Sequence, residues 1–190
     1  MSSLFQIIRD GCVTNIDEEK KVEEKFDFSI DNLLMLLKHT DNLNDALIVE
    51  EGIKEIWKVH GDEEMRWSLE DANAALLRGD KSASLAYLDE IVQKDSSYFE
   101  AWNKKATCHY LLGDTNMSIE TAHMAKSYNA NHFQALSGLG LVHYDASRYK
   151  SAAKFFRESL SIDPWSPVSS RLLLCLDILE RLDLDEEEKE

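Results

Sequence analysis

A chain of 190 residues with 44% hydrophobic and 30% charged side chains is long enough to bury a core and has the composition of an ordinary globular domain. Its formal net charge of −15 argues against nucleic acid and anionic membranes as partners, since both need clustered Lys and Arg. No run approaches the roughly 20 apolar residues of a spanning helix, and three widely spaced cysteines, Cys12, Cys108 and Cys175, suit a reducing compartment better than a disulfide framework.

In chain order, residues 1–16 read as an irregular segment, with Gly11, Thr14 and Asn15 as breakers. The first residues lack the basic start and long apolar core of a secretory signal. The expected setting is cytoplasmic, or an organelle (plastid or mitochondrion) if a transit peptide has been removed. Residues 17–62 read as a helical N-terminal element. A charged run follows Asp17, Ser29 or Asp31 can cap the apolar stretch Leu33 to Leu37, and Leu43, Leu47, Ile48, Ile53, Ile56 and Trp57 make a helical stripe. This pair of helices is expected to be a leading hairpin that covers the exposed face of whatever follows Gly61-Asp62.

From Met65 the chain repeats itself at a step of 34 residues. Asp95, Asn129 and Asp163 form one ladder at this step; Ala72, Ala106 and Gly140 form another. Phe99-Glu100-Ala101 returns as Phe133-Gln134-Ala135, and Gly79-Asp80 returns as Gly113-Asp114. Three units follow, 65–98, 99–132 and 133–166, together with the lead-in filling 63–166. Each reads as helix A (63–77, 98–112, 132–146) and helix B (82–94, 116–128, 149–162) around a Gly-Asp or Ser-Arg turn. Pro167 suits the first turn of a last helix, which spans 167–182 and has one polar side to cap the stack. The tail 183–190 is acidic and is expected to be disordered. One helical hairpin cannot bury both apolar faces, so neighbours must stack and share a core.

A period near 34 over helix-forming sequence resembles the tetratricopeptide repeat (TPR) family. That family expects a bulky residue at position 4 of each unit, small residues at 8, 20 and 27, and often proline at 32. The third unit matches throughout with Leu136, Gly140, Ala152, Ser159 and Pro164. The second offers Trp102, Ala106, Ser118 and Ala125, with Ala130 at the proline position. The first is looser, with Ser68, Ala72, Ser84, Ile91 and Ser96. The resemblance, strongest to small TPR proteins of bacteria and photosynthetic eukaryotes, covers residues 63–182. It implies an all-α fold, a short right-handed superhelix (α-solenoid) with a leading hairpin and a C-terminal capping helix.

The resemblance also implies a concave groove lined by positions 2, 5, 6, 9, 12 and 13 of the A helices. Carried over, the partner-binding candidates are Arg66, Asn73 and Leu77 from the first unit. The second supplies Asn103, Lys104, Thr107, Tyr110 and Leu111. The third supplies Gln134, Ser137, Leu141 and Tyr144, and the capping helix adds Arg171. Asn103 can hold a peptide backbone with donor and acceptor, Lys104 supplies a point charge, and Tyr110 and Tyr144 offer flat contact with a hydroxyl. A TPR subclass grips chaperone C-termini with a basic carboxylate clamp. At its positions this chain has Leu69, Asn73, Lys104, Gln134 and Gly138, of which only Asn73 matches, so that function is not expected.

Catalysis and metal binding find little support. His109 and His143 share position 11, an aromatic packing site, without carboxylate or cysteine at ligand spacing. Cys108 and His109 are adjacent and point to different sides of one helix. Gly138 and Gly140 lie inside a helix and are no phosphate loop; Gly138 is expected to open the groove floor. Trp67, Trp102 and Trp165 read as packing at unit boundaries. The expected function is non-enzymatic binding of a peptide or helix of a partner protein, with no cofactor and no metal. The rivals are a structural subunit of a larger assembly and, less well supported, an enzyme.

Overall fold

The computed structural model describes residues 29–187, and every regular element among them is an α-helix. The readings of residues 1–28 and of 188–190 lie outside the described residues. Helices α1 (Ile30–His39) and α2 (Leu43–Lys58) form an N-terminal hairpin. Three pairs follow: α3 (Glu63–Leu77) with α4 (Lys81–Lys94), α5 (Phe99–Leu112) with α6 (Thr115–Tyr128), and α7 (Phe133–Asp145) with α8 (Tyr149–Ile162). A last helix, α9 (Val168–Glu187), closes the described chain. The paired helices begin and end within one residue of the bounds expected from the sequence.

The 34-residue step is visible in the chemistry of each turn. Helices A end on a left-handed residue, Gly79 at φ 82°, Gly113 at φ 79° and Ser147 at φ 57°. Glycine adopts this conformation without the Cβ penalty that Ser147 carries. Asp80 and Asp114 then cap the B helices, accepting from the N–H of Ala83 at 3.0 Å and of Met117 at 3.2 Å. Arg148, at the same point of the third unit, makes no side-chain cap. Asp95, Asn129 and Asp163 follow the B helices, and each side chain accepts the N–H two residues on, from Ser97 (2.7 Å), Asn131 (3.1 Å) and Trp165 (3.1 Å). This local bond turns the chain into the next unit.

Packing explains the small-residue ladder. Ala72, Ala106 and Gly140 are buried where helices A and B of one unit cross. A Cβ on Gly140 would stand 2.3 Å from the Phe156 ring, so no larger residue fits unless that ring moves. Ser118 donates to the Ala106 carbonyl at 3.0 Å and Ser159 to the Phe133 carbonyl at 3.0 Å, which satisfies two hydroxyls inside the stack.

The N-terminal hairpin is where the structure departs most from expectation. It does not cover the first unit. Leu33, Leu37, Ala46, Val49, Ile53 and Trp57 share a core with Phe133, and Phe99, Ile162 and Trp165 pack against it. The hairpin therefore lies across the starts of α5 and α7 and the end of α8. Its far end is tied by the Tyr98 hydroxyl, which donates to the Lys58 carbonyl at 2.5 Å, and by His60, 2.9 Å from Asp95. The apolar stripe was legible, but its docking site is a set of residues that become neighbours only when units two and three stack. One consequence is that Trp67, expected to pack, is 58% exposed, because nothing from the hairpin reaches it.

The last helix differs too. It runs to Glu187, past the expected end at 182 and into the acidic tail read as disordered. Its outer side is not wholly polar, since Leu173 and Leu174 are exposed while Cys175 and Leu172 face Ala152, Ala153 and Phe156.

Candidate functional site

Between α5, α7, the start of α9 and the flank of α2 lies a cavity of about 530 Å³. From α5 it is lined by Asn103, Lys104, Thr107, Tyr110 and Leu111, and from α7 by Gln134, Ser137, Gly138 and Leu141. Eight of the thirteen residues chosen from the sequence thus meet in one hollow. They do so because positions 5, 6, 9, 12 and 13 of one A helix face the same side as positions 2, 5 and 9 of the next. Gly138 sits on the floor, and a Cβ there would meet nothing within 4 Å.

The other five do not line it. Arg66, Asn73 and Leu77 belong to α3, one repeat earlier, and Leu77 is 90% exposed. Arg66 instead sits 3.8 Å from Glu63 on its own helix. Arg171 lies over the Tyr144 ring at 5.8 Å, and Tyr144 packs against Tyr149, so both serve the junction of α7, α8 and α9. Tyr110 is tied across the hollow, its hydroxyl donating to Asp145 at 2.5 Å.

The floor near α5 holds a buried ionic cluster. Glu100 is 2% exposed. It receives Lys104 at 3.1 Å, His132 Nε2 at 2.9 Å and Asn103 Nδ2 at 3.4 Å. Because His132 Nδ1 accepts the Ala135 N–H at 3.3 Å, the proton on its ring sits at Nε2 and points to Glu100. Burial pushes the Glu100 carboxyl up, but the His132 hydrogen bond and the Lys104 charge outweigh it and hold it below its ordinary range. Lys104, expected as a free point charge, is therefore already neutralised. Asn103, expected as a free donor and acceptor, is 7% exposed and partly engaged.

At the other end, the hollow is closed by residues not chosen from the sequence: Glu50, Phe133, Asp163, Ser166, Pro167 and Val168. Asp163 was visible as a rung of the 34-residue ladder, but Glu50 had no signal, being outside the repeats. Burial and the nearby Glu50 charge push the Asp163 carboxyl up to about 6, against the Trp165 N–H and Lys54, which lower it. A carboxyl raised in the folded state costs stability once pH exceeds its unfolded value, and the cost is complete above its folded value. Asp163→Asn keeps the acceptor for Trp165 and is expected to stabilise the chain at pH 7 on the order of 1–2 kcal/mol, allowing for screening by water in the groove. Thermal melts should show that gain fading as pH falls through about 6 toward 3.8; a loss of stability at pH 7 would refute it.

The remaining candidates for chemistry are packing groups. The Cys108 sulfur meets the Ser84 hydroxyl at 3.2 Å, and burial pushes its thiol up, away from a reactive thiolate. His143 stacks on Phe155 at 5.4 Å. Among the described residues, no three His, Cys, Asp or Glu side chains gather as for a metal, and no helix is long and apolar enough to cross a membrane.

Stacked helical hairpins around a concave hollow define an α-solenoid. Residues 124–167 match the tetratricopeptide repeat family model. A TPR repeat-containing protein of Rhizobium etli is 24% identical over 135 residues, covering 71% of this chain and 66% of that protein; the match spans just under two thirds of the relative's length. Among solved structures, the first TPR of Spaghetti (RPAP3), bound to the HSP90 peptide SRMEEVD, superposes with a TM-score of 0.60 at 15% identity over 64% of this chain and 98% of that one. The Sgt2 TPR domain of Aspergillus fumigatus gives 0.60 at 19% identity, over 64% and 83%. The MamA protein gives 0.50 at 18%, over 72% and 74%. The described helices thus share the tetratricopeptide repeat fold, which generally mediates protein–protein interaction, and residues 124–167 match that repeat.

Proposed function

We propose that the chain is a non-enzymatic binding module that holds a peptide or a single helix of a partner protein in the hollow between α5 and α7. The observation that carries this reading is the hollow itself: about 530 Å³, walled by side chains of two successive A helices, with a glycine on its floor. Apolar anchors at Leu111, Leu141 and Val168 would supply binding energy, and polar groups at Thr107, Gln134 and Ser137 would set register. A chaperone peptide of the kind bound by the Spaghetti domain does not suit this hollow. Of the clamp positions only Asn73 matches, Asn73 does not line the hollow, and Lys104 is committed to Glu100.

Gly138→Leu tests the site without disturbing the fold. A Cβ there meets nothing within 4 Å and points the longer side chain toward the hollow, and replacing a mid-helix glycine favours the helix by up to about 1 kcal/mol. The variant is expected to melt no lower than the wild type while losing at least about tenfold in affinity for a groove-bound peptide. Unchanged affinity, measured by fluorescence polarisation, moves the site elsewhere.

A further inference from the structure

We propose that the end of the hollow beside α2 receives a cationic side chain, a lysine or arginine carried by the bound segment, with Asp163 and Glu50 as its counter-charges. This rests on the groove reading above and names the partner's chemistry.

The turn after α8 does not need the charge of the carboxylate at 163. Its counterparts one and two units earlier, Asn129 and Asp95, make the same bond to the N–H two residues on. Asn129 shows that a neutral amide suffices to form that turn. Asp95 uses its second oxygen to meet His60 at 2.9 Å. The second oxygen of Asp163 has no such donor among the described residues. Yet Asp163 is 1% exposed, faces the hollow, and shares that end with Glu50.

The surrounding charges leave the position unbalanced. From α2, Lys54 is the one cation acting on Asp163 among the described residues, and it is held 2.5 Å from Glu50 and 3.8 Å from Glu51. Three carboxylates thus share one ammonium. No compensating charge comes from across the hollow, where Lys104 is spent on Glu100 at 3.1 Å. The cost of ionising Asp163 in this position is retained although asparagine would form the turn, which fits a charge kept for an external partner. A cation entering beside Asp163 would find a buried carboxylate at the end of a trough whose other charge, Lys104, is already paired with Glu100, so that ion pair would be little screened. The net charge of −15 would draw such a basic segment toward the chain.

A random peptide library displayed on phage and selected on the intact chain tests this directly, with Asp163→Asn/Glu50→Gln and Gly138→Leu as comparison baits. Circular dichroism should show all three folded, since asparagine already serves at 129. The expected result is a family of peptides bound by the wild type and lost on Gly138→Leu, with Lys or Arg enriched at one position among apolar residues. A synthetic peptide of that family should weaken at least about tenfold when norleucine replaces its cation. On the double variant the same replacement should change affinity less than about twofold. Groove-dependent peptides without a basic residue, or a basic preference that survives in the double variant, overturn the cation site and leave the groove reading intact. Selection of no groove-dependent peptide overturns both.

Discussion

Trp57→Ala is expected to lower the stability of the folded chain by about 3–5 kcal/mol, the range for emptying a large aromatic site in a core. The indole is 4% exposed and its ring centroid lies 4.5 Å from His132, 4.9 Å from Phe133 and 6.2 Å from Phe99. It therefore touches the starts of two A helices and the turn before the second. Urea denaturation should register the loss. Hydrogen exchange should show amides of α1 and α2 opening well before those of α5 to α8, because the hairpin loses its main anchor while the repeats keep their mutual packing. Trp57→Phe, which retains a ring, should lose less than half as much. A loss below about 1 kcal/mol for the alanine variant would show that the hairpin is held by something other than this contact.

Glu100→Ala is expected to cost a similar amount, about 3–5 kcal/mol, by a different route. The carboxylate is the common acceptor for His132, Lys104 and Asn103, so its removal strands a buried imidazole N–H and an ammonium. Glu100→Gln keeps an acceptor for His132 and should cost less. Combined with His132→Ala, the two losses should be strongly non-additive, since each single change already breaks the pair. The pH dependence has a definite sign. The Glu100 carboxyl is held below its ordinary value of 4.5 in the folded state, so its contribution is complete above that pH and declines as pH falls below it. Acid titration of wild type and Glu100→Gln should converge in that window; parallel curves down to pH 3 would remove the charge from the explanation.

What could be read from the sequence was whatever the 34-residue step repeats. The left-handed residues at 79, 113 and 147, the aspartate caps at 80 and 114 and the turn acceptors at 95, 129 and 163 recur because each does one local job. The faces of the A helices followed from the same step, which is why the α5 and α7 walls of the cavity were legible in advance. Residues outside the step were not. The stripe ending at Trp57 announced a buried face, but a hairpin that occurs once has no second copy to reveal its docking surface. Glu100, at position 2 of the second unit and so a groove position by the family resemblance, shows the complementary failure. Position 2 is an open groove position only if nothing covers it, and here Trp57 lies over His132, which lies against Glu100. The same misplacement explains why Lys104 looked like a free charge.

An open stack of helical hairpins has only neighbour contacts, so it can fray from either end and fold in any order. Here α2 and the His60 that follows it bridge the turn that leaves the first repeat, through Tyr98 and Asp95, and the helices of the third, through Phe133 and Ile162. That strap joins the end of the first repeat to the third and turns a line into a closed circuit. Melting should then be one cooperative event across the repeats, not stepwise loss of terminal units. Folding should also be slower than helical content alone suggests, because the strap can form only after distant repeats have found their places.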